Sequence, residues 1–467
     1  KGLPQEVKDA LPRVFRELLT VDENGTATRQ RARKEQVAKD EASRLLMERL
    51  IEKRLLVTSS NEELVEVAHE ALFRSWPELA KWIAEAQEDL ILLRQVRAAA
   101  VEWWNKPDRS QYNYLLWPDE RLKLVYEMQK RLEPNWEDYE QEFIRLEVER
   151  LWDEIENPDT AHRRRSWIGE RLDTLGDPRP GVGLVKDLLP LRAEEGGASR
   201  FNSLRNGEMR LWGDKPEHKD LPDIVWVRVD GGSIQIEEQS FKVQSFYIAK
   251  YPVTYGQFES FVEAEDGFKN ARWWKGLSAD EGHKSQPDEQ NFKFYNHPRE
   301  NVSWYDAIAF CRWLNARLGF AELPADLTIQ SLDNFKGIRL PAEWEWQWAA
   351  TGGDPNYQYP WGTEWEGRVV NTSESGLGRT TAVGVYPQGS AKCGALDLSG
   401  NVLEWCLNEY EKPEMIGLSS AKYRVLRGGS WNFDQGLARA SSRYYRLDPN
   451  FRNYDFGFRL VVRPPSL

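Results

Sequence analysis

Apolar residues in the first third of the chain recur at the spacing of amphipathic helices, with one hairpin after them. The runs Leu11–Leu19 and Ala42–Ile51 place their apolar side chains on one face of a helix. Two short apolar runs, Leu55–Val57 and Leu64–Val67, surround a polar turn and predict a pair of strands. A winged helix has this order of elements, helices followed by a hairpin. We therefore predict a winged helix for residues 1–85.

Helical spacing continues beyond residue 85 and then breaks at a cluster of glycines and prolines. Segments 136–152 and 162–175 keep apolar positions at helical spacing. Residues 176–183 are dominated by Gly and Pro, and the stretch up to residue 221 remains rich in Gly, Pro and charge. We therefore predict a helical arm over residues 86–175 and a linker over residues 176–221.

From residue 222 onward, short alternating runs replace the long helical pattern. Ile224–Val229 alternates as a strand, and Phe241–Ala249 forms a second strand region after a Gly-Gly turn. Two helical segments, Tyr255–Glu263 and Tyr305–Leu318, follow. The pattern predicts a separate C-terminal domain, residues 222–467, with little regular secondary structure. For the whole chain it predicts the α+β class.

Near the C-terminus, two apolar runs bracket a stretch with little periodicity. The runs are Tyr423–Leu426 and Phe458–Val462, and we predict a strand for each. The loops between them are rich in Tyr, Phe, Asn, Asp, Ser and Arg, which are side chains favoured on recognition surfaces. We therefore predict that this stretch is a displayed binding surface and that the upstream chain holds it.

Composition and charge narrow the class of protein. A chain of 467 residues exceeds one ordinary domain, and its net charge of -12 makes nucleic-acid binding an improbable main function. Its three cysteines form no CxxC pair, which fits a reducing cytoplasm. No apolar run of about 18 residues is present, which predicts a soluble protein without a membrane partner. The first residue is Lys1 rather than Met, so we expect a fragment of a longer protein.

The stretch Val65–Pro77, with the sequence VEVAHEALFRSWP, resembles the winged-helix end of the NTPase module in STAND-class regulators. The resemblance covers residues 10–145 and implies an upstream ATPase core, which we expect before Lys1. Within this chain no GxxxxGK[ST] sequence occurs, so we predict no ATP site here. His69 has no second His or Cys near it in sequence, and we interpret it as a packed, hydrogen-bonded structural residue.

Six motifs in the second half occur in a recognisable order. They are FYIAKYPVT (246–254), HPRENVSW (297–304), RLPAEWEW (339–346), PWG (360–362), LDLSGNVLEW (396–405) and RGGSW (427–431), the last followed by GFR (457–459). This series resembles the formylglycine-generating-enzyme family over residues 222–463. The resemblance implies a variant of the C-type lectin fold for the C-terminal domain.

The cysteines that enzymes of this family use are missing. The resemblance places one cysteine just after the GGS-aromatic motif and one five residues later, where this chain has Phe433 and Ala438. Neither residue can bind copper or act as a redox thiol. The histidines are scattered without an HxxxH or HxE pattern, so we predict no iron site. We therefore expect no enzyme activity in this chain.

Two other functions stay open at this point. One is an enzyme of the formylglycine-generating or sulfoxide-synthase-like superfamily with an unrecognised active site. A cleft containing paired carboxylates with shifted pKa values would indicate it. The other is a structural oligomerisation module, which would need a large apolar self-contact.

The family resemblance also implies a structural calcium ion. The family places it at the residues that match Asp397, Gly400, Val402 and Glu404, whose carboxylates and carbonyls would be hard oxygen ligands. A second site would involve Asn371, although no acidic partner for it is evident in the sequence. The alternative is that Glu404 makes only structural hydrogen bonds.

The amino-acid usage of residues 433–456 is unusual. The segment contains no Lys, Glu, Trp or Met, although these four types make up about one residue in five of the chain. Almost every residue present has a codon that adenine-directed mutagenesis of an Asn codon can produce. This usage, between RGGSW and GFR, resembles the variable region of proteins that diversity-generating retroelements mutate. On that resemblance the variable region is residues 431–456.

Eleven residues of this region are predicted to contact a ligand. They are Phe433, Asp434, Gly436, Leu437, Ser442, Tyr444, Tyr445, Leu447, Tyr454, Asp455 and Phe456. The fixed scaffold would be Arg427, Gly428, Gly429, Trp431, Gly457, Phe458 and Arg459. The alternative is that the aromatic residues pack the domain's own core.

Clustered aromatic residues with polar tips suit a macromolecular ligand, and we expect a protein. The sequence therefore predicts the non-catalytic, ligand-binding module of a STAND-class sensor. Its partner within the longer protein would be an upstream NTPase or effector domain.

Overall fold

The computed structural model describes residues 4–59, 63–187, 204, 207–211 and 216–463. Two compact units divide the chain, Lys1–Arg150 and Leu151–Leu467. Helices dominate the first unit, whereas the second combines small sheets with separated helices. The predicted α+β class is therefore confirmed.

The described helices are mostly short. Along the chain they are α1 Gln5–Asp9, α2 Leu11–Phe15, α3 Lys34–Val37, α4 Glu41–Glu52, α5 Leu72–Ser75, α6 Pro77–Glu85, α7 Gln87–Trp104, α8 Asp119–Leu132, α9 Asp138–Phe143, α10 Glu147–Glu156, α11 His162–Leu175, α12 Tyr255–Glu263, α13 Glu281–Ser285, α14 Trp304–Leu318, α15 Ile329–Asn334 and α16 Glu343–Thr351. Single 3-10 turns occupy Arg109–Leu115, Pro216–His218, Ala271–Trp274, Gly367–Val369, Ser373–Ser375 and Pro387–Gly389. Among the described residues, none of these helices combines the length and the apolar composition that a membrane span requires.

The described strands form five small sheets. In chain order they are β1 Leu19–Val21, β2 Ala27–Arg29, β3 Ala32–Arg33, β4 Leu56–Thr58, β5 Leu64–Val67, β6 Glu208–Met209, β7 Trp226–Val229, β8 Gly232–Ile236, β9 Gln239–Val243, β10 Phe246–Ala249, β11 Ile338–Arg339, β12 Leu403–Glu409, β13 Arg424–Arg427, β14 Arg443–Leu447, β15 Phe456–Gly457 and β16 Val461–Val462. The sheet orders are β1-β2, β3-β5-β4, β11-β16-β10-β7-β6, β8-β9 and β14-β13-β12-β15.

In the first unit, α4 precedes the antiparallel β4–β5 hairpin, the order that the apolar pattern predicts. The Asp40 side chain caps α4 by accepting the backbone N–H of Ser43 at 2.8 Å, and the helix buries Leu46 and Leu50. His69 is exposed, and its Nδ1 accepts the backbone N–H of Ala71 at 3.1 Å. The hydrogen bond predicted for His69 is therefore confirmed, but the prediction that His69 is packed is wrong.

The core of the second unit is built from tryptophan and from one buried helix. Helix α14 begins with a reciprocal cap between Ser303 and Asp306, and its residues Trp304 to Asn315 are all buried. Cys311 lies on this buried helix, as predicted. Six tryptophans are less than 2% exposed: Trp226, Trp273, Trp304, Trp313, Trp346 and Trp405. Large aromatic side chains therefore fill a core that contains few long regular elements.

Two sheets position the C-terminal stretch. Strand β12 pairs antiparallel with β13 and parallel with β15, and β16 pairs with β10 and β11 in the other sheet. The single strand predicted over Phe458–Val462 is wrong, because the chain passes from the first sheet to the second between Gly457 and Val461. The strand predicted over Tyr423–Leu426 is present one residue later.

Residues just after α11 pack within the second unit. The buried Arg179 donates to the carboxylate of Asp177 at 2.6 Å and to the carbonyl of Val383 at 2.8 Å. The hydroxyl of Thr254 donates to the carbonyl of Val182 at 2.8 Å. These residues belong to the stretch predicted as a linker, of which residues 188–203 lie outside the described residues. The predicted domain boundaries stay predictions.

Candidate functional site

The stretch between β13 and β15 begins with a turn that requires glycine. The φ angles of Gly428 and Gly429 are 95° and 68°, in the left-handed region. A Cβ atom on Gly428 would lie 2.9 Å from the carbonyl oxygen of Leu398, and one on Gly429 would lie 2.9 Å from the backbone nitrogen of Ala438. The RGGSW motif therefore fixes the direction in which the following loop leaves the sheet.

Two arginines and one glutamate hold the backbone of this loop. The buried Arg427 donates to the carbonyls of Ala440 at 2.6 Å and Ser441 at 3.1 Å, and to Oε1 of Glu343 at 3.2 Å. Arg443 donates to the same Oε1 at 2.6 Å and to Oε2 of Glu343 at 3.1 Å. The loop is thus bound through its main chain, so its outward side chains are not needed to position it.

A third arginine, in the GFR motif, makes a similar buried pair. Arg459 donates to both carboxylate oxygens of Glu404 at 2.8–3.1 Å, and the indole N–H of Trp346 donates to Oε2 of Glu404 at 2.7 Å. Arg459 also donates to the carbonyls of Ala249 at 2.8 Å and Leu396 at 2.6 Å. We call Arg427, Arg443 and Arg459, with Glu343 and Glu404, the arginine anchor.

These contacts do not fit a calcium ion at the predicted residues. Both oxygens of Glu404 already accept hydrogen bonds from Arg459, whose positive charge would oppose a cation. Oδ2 of Asp397 accepts the backbone N–H of Gly384 at 2.6 Å, and burial raises the pKa of Asp397 to about 6. Across the described ranges, no three or more His, Cys, Asp or Glu residues form a group that could hold a metal. The geometry agrees with the alternative in which Glu404 is purely structural.

The other predicted calcium ligands, Gly400, Val402 and Asn371, make structural contacts within the fold. The backbone N–H of Gly400 donates to the carbonyl of Gly428 at 2.8 Å, and Val402 is buried. The side-chain nitrogen of Asn371 donates to the carbonyl of Arg379 at 2.9 Å, and its oxygen accepts the hydroxyl of Ser375 at 2.9 Å. Asn371 therefore uses both ends of its side chain within the fold.

Five aromatic side chains lie at or near the surface of the variable segment, and we call them the aromatic patch: Trp431, Phe433, Tyr444, Phe451 and Tyr454. Tyr454 is 38% exposed and Phe451 is 48% exposed, and the other three are half-buried. The ring centroids of Trp431 and Tyr454 are 5.5 Å apart, and those of Phe433 and Tyr444 are 4.9 Å apart. Such rings provide a large contact area at a small cost in conformational entropy.

Two of the predicted contact residues point into the domain instead. Phe456 is 1% exposed, and its ring centroid lies 5.7 Å from that of Trp405. Asp455 is 1% exposed and accepts hydrogen bonds from the hydroxyl of Ser430 and the side-chain amide of Asn453, both at 2.8 Å. The prediction that Asp455 and Phe456 contact a ligand is therefore wrong, because the chain re-enters the sheet here as β15.

Four predicted contact residues form the loop that follows RGGSW. Asp434 is exposed, and its carboxylate accepts the backbone N–H of Gly436 at 2.9 Å. The hydroxyl of Ser442 donates to the carbonyl of Gly436 at 2.7 Å, and Leu437 is half-buried. Asp434 is thus an exposed charged side chain of this loop, as Arg439 is.

Strand β14 carries three further predicted contact residues. Its register places Tyr444 opposite Leu426 of β13 and Leu447 opposite Arg424. Tyr444 and Leu447 are both partly buried against the hydrophobic core, and the ring of Tyr444 also contacts that of Phe433 in the aromatic patch. The side chain of Tyr445 lies outside the described residues.

Sequence reasoning missed two members of the aromatic patch. Phe451 lies within the compositionally biased segment, so the same signal could have included it among the contacts. Trp431 was assigned to the fixed scaffold, but its ring is half-buried beside Tyr454 rather than enclosed in the core. The strand pattern alone does not reveal the orientation of Trp431, because the residue follows the glycine turn.

The three cysteines of the chain lie outside the C-terminal stretch. The three cysteines are free, with Cys311 and Cys406 buried and Cys393 half-buried. Burial raises the pKa of all three thiols, so none is a thiolate at neutral pH. At the two positions where the related enzymes have cysteine, Phe433 is a member of the aromatic patch and Ala438 is buried.

Two carboxyl groups, Asp455 in the variable segment and Glu300 outside it, are buried. Burial raises the pKa of Glu300 to about 7, with a further contribution from the charge of Asp455, and burial raises the pKa of Asp455 to about 6. One oxygen of Glu300 accepts the backbone N–H groups of Asn291 and Phe292. These pKa values would suit acid–base chemistry, but both carboxyl groups are enclosed, at 0% and 1% exposure.

Comparisons with known proteins follow the division of the chain. Residues 213–464 match the model of the sulfatase-modifying factor enzyme 1-like domain. Residues 1–111 match the model of the novel STAND NTPase 1 family. Both of the family resemblances predicted from the motifs are thereby confirmed.

Curated relatives and a solved structure are similar to the second half of the chain. Hercynine oxygenase of Mycobacterium tuberculosis is 28% identical over 255 residues, which are 47% of this chain and 51% of that protein. Formylglycine-generating enzyme of Mus musculus is 28% identical over 258 residues, 45% of this chain and 62% of that protein. The chain thus spans about half the length of the first of these relatives. Treponema denticola variable protein 1 is 23% identical over 52% of this chain and 95% of its own, with a TM-score of 0.39.

Proposed function

This chain belongs to the family of the sulfatase-modifying factor enzyme 1-like domain, and from that premise we propose that it is the ligand-binding module of a STAND-class sensor. The aromatic patch is the observation that carries the proposal. Its five rings are partly exposed, and the backbone beneath them is held by the arginine anchor rather than by the rings themselves. Partly exposed aromatic side chains of this kind supply the contact area of binding surfaces.

The ligand class follows from the shape and chemistry of the patch. Its rings lie on a loop and on strand β14, and two of them are more than one-third exposed. Partly exposed Tyr and Trp side chains with polar tips are typical of the energetic centres of protein–protein interfaces. The exposed Asp434 would add a charged group beside the rings. The ligand proposed is therefore a protein.

Diversification by a retroelement is the finer part of the proposal. The biased composition of residues 433–456 coincides with the loop whose backbone the arginine anchor fixes. Substitution of the patch residues would then change the ligand without changing the fold. A genomic search tests this part: a near-copy of the coding segment for residues 431–456, differing at adenines and adjacent to a reverse transcriptase gene, is expected. If no such copy exists, the diversification proposal is wrong, whereas the ligand-binding proposal is unaffected.

The role in a sensor rests on the first unit. The match of residues 1–111 to a STAND NTPase model supports a longer protein, in which ligand binding is transmitted to an NTPase or effector domain. The location proposed for it is the cytoplasm. In that arrangement the part of the chain described here recognises the signal and does not hydrolyse nucleotide.

Quantitative affinity capture from cells of the source organism tests the binding proposal. The unmodified chain is compared with the double variant Phe451→Ala/Tyr454→Ala and with Trp167→Ala, which removes a 46% exposed aromatic residue from α11. A specific protein ligand is expected to be recovered with the unmodified chain and with Trp167→Ala, and to be depleted at least about tenfold with the double variant. Equal recovery with all three chains contradicts the proposal.

An enzyme of the same superfamily is the second candidate, and the Glu300–Asp455 pair is the observation in its favour. The test is incubation of the chain with a cysteine-containing sulfatase peptide, followed by mass spectrometry. We expect the peptide mass to remain unchanged, because the thiols that such an oxidation uses are replaced by Phe433 and Ala438. Loss of sulfur from the peptide, with formation of an aldehyde, would establish the enzyme instead.

A further inference from the structure

The variable segment, residues 431–456, forms two loops, and residues outside the segment hold the first loop through its main chain. The first loop covers residues 432–442, before β14, and the second covers residues 448–455, between β14 and β15. Five carbonyl oxygens of the first loop accept hydrogen bonds from groups outside the segment, at 2.6–3.3 Å: those of Phe433, Gln435, Ala438, Ala440 and Ser441. Because none of these acceptors is a side chain, the side chains of the first loop can differ while its backbone stays in place.

The second loop is held differently, because its own side chains make several of the bonds. The side chain of Arg452 is 5% exposed, and its guanidinium donates to both carboxylate oxygens of Asp306, at 2.7 and 2.8 Å, and to Asp288 at 2.8 Å. Oδ1 of Asn450 accepts the backbone N–H of Asp280 at 2.9 Å. A substitution at Arg452 or Asn450 would therefore remove a contact between the second loop and the rest of the domain.

Asp306 connects the second loop to the buried helix α14. Its carboxylate is 0% exposed and also accepts the backbone N–H of Ser303 at 2.7 Å, as part of the cap of α14. The backbone N–H of Trp304, the first residue of α14, donates to the carbonyl of Pro449 at 3.1 Å. Because a bidentate contact between arginine and a carboxylate is directional, the Arg452 contact fixes the orientation of the loop as well as its distance from the helix.

The two most exposed rings of the aromatic patch lie on either side of Arg452 in the sequence. Phe451 directly precedes Arg452 and is 48% exposed, and Tyr454 follows two residues later and is 38% exposed. Both rings leave the same short loop, whose contact with α14 runs through the Arg452 side chain. The positions of these rings on the surface therefore depend on a residue that is itself enclosed.

We propose that Arg452 is a positioning residue for ligand recognition, which holds Phe451 and Tyr454 in place and is neither a ligand contact nor a position open to diversification. The inference rests on the proposed function, in which these two rings contact a protein. Arg439 is the same type of residue in the first loop, but it is exposed and its position is open to substitution. Side-chain variation in the second loop is thereby restricted to the outward positions.

Hydrogen exchange followed by mass spectrometry, on the 467-residue chain, tests whether Arg452 holds the second loop. Arg452→Ser removes the contacts with Asp306 and Asp288, and Arg439→Ser is the matched control of the same residue type. Ser303→Ala is a second control, because it weakens the cap of α14 but leaves the Arg452–Asp306 pair in place. Each variant is measured at the same interval below its own melting temperature, so that a general loss of stability does not contribute to the difference.

Amide exchange within residues 448–455 is expected to be at least about tenfold faster in Arg452→Ser than in the unmodified chain, with exchange within residues 432–442 unchanged. Both controls are expected to leave the exchange of both loops unchanged. The proposal is overturned if Arg452→Ser does not accelerate exchange within residues 448–455. It is also overturned if Ser303→Ala accelerates this exchange equally, because Arg452 would then act only through the stability of α14.

A binding measurement distinguishes positioning for recognition from a purely structural role. The probe is the protein that the unmodified chain recovers in the affinity capture described above. Recovery is expected to fall at least about tenfold with Arg452→Ser and to stay unchanged with Ser303→Ala. Undiminished recovery with Arg452→Ser would show that the residue has no role in recognition. If the unmodified chain recovers no protein, the proposed function is wrong, and the exchange of residues 448–455 still decides whether Arg452 holds the loop.

Discussion

The three arginines of the arginine anchor and the rings of the aromatic patch lie within the same forty residues and have opposite surroundings. In the anchor, the carboxylates of Glu343 and Glu404 are 0% exposed; Glu343 binds the guanidinium groups of Arg427 and Arg443, and Glu404 binds that of Arg459. In the patch, the rings are partly exposed and lie beside one another, as Trp431 does beside Tyr454. Buried charge and partly exposed aromatic surface thus occur in one short stretch of the chain.

The difference shows how this fold separates stability from recognition. Arg427, before the variable segment, donates to the main-chain carbonyls of residues 440 and 441 within it, and Arg459, after the segment, donates to the carbonyls of residues 249 and 396. Main-chain acceptors are present whatever the side chain at those positions. The backbone of the segment is therefore specified without its outward side chains, which are free to differ.

Removing the shared carboxylate of the anchor gives the largest expected effect. In Glu343→Ala, Arg427 and Arg443 lose their common counter-ion, and an uncompensated buried charge costs about 3–5 kcal/mol. Urea denaturation followed by tryptophan fluorescence measures the change in the free energy of unfolding. The exposed Glu364→Ala is the control and should change it by less than about 0.5 kcal/mol. Similar midpoints for the two variants would mean that the anchor does not stabilise the segment.

Adjacent aromatic residues provide the second test. Phe456→Ala should lower the free energy of unfolding by about 3 kcal/mol or more, because the ring is buried against Trp405. Tyr454→Ala should lower it by less than about 1 kcal/mol, because its ring is 38% exposed. Thermal and urea unfolding of the two variants, prepared side by side, measure the difference. A Tyr454→Ala chain as unstable as Phe456→Ala would place Tyr454 in the core and remove it from the patch.

The same pair of residues shows how far the sequence could predict the site. The motifs located the segment, its glycine turn and the missing cysteines, because these depend on residue type at fixed spacing. They could not separate Tyr454 from Phe456, since both are aromatic residues in the same compositionally biased stretch. Their environments diverge because β15 begins at Phe456 and pairs with Leu403, a long-range contact that no local pattern encodes.

For the fold, too, the sequence predicted the local elements but not the long-range contacts. The helices and the hairpin of the first unit follow from local apolar spacing, which a sequence displays directly. The arginine anchor does not, because Glu343 and Arg427 are far apart in sequence and meet only when α16 packs beside β13. A buried arginine has no distinguishing local signal, so the sequence assigned Arg427 and Arg459 to the scaffold without identifying their partners.

Two buried carboxyl groups, Asp455 and Glu300, give a smaller, pH-dependent effect. The pKa of Glu300 is raised to about 7 and that of Asp455 to about 6, so the folded protein binds more protons than the unfolded chain. Stability is then greatest below the ordinary carboxyl pKa of about 4 and falls as the pH rises towards about 7, by about 1–3 kcal/mol. Thermal melting from pH 5 to pH 7.5 measures the fall. Glu300→Gln keeps an acceptor for the Asn291 and Phe292 N–H groups and should flatten the dependence; an unchanged pH profile would show that Glu300 is not the titrating group.

Addition of calcium is expected to have the smallest effect, and it tests whether the Glu404–Arg459 ion pair of the anchor is permanent. If Glu404 is held by Arg459 and Trp346, calcium must displace a buried ion pair to bind, and addition of calcium or of a chelator should leave the melting temperature unchanged. Asp397→Asn is the matched variant, because it keeps an oxygen for the N–H of Gly384 but removes the charge that calcium requires. Stabilisation of the unmodified chain by calcium, absent in Asp397→Asn, would show that Glu404 exchanges Arg459 for a metal ion. In that case Glu404 would need a bound ion to stabilise the fold. Only the contacts of Glu343 with Arg427 and Arg443 would then hold the segment independently of a ligand.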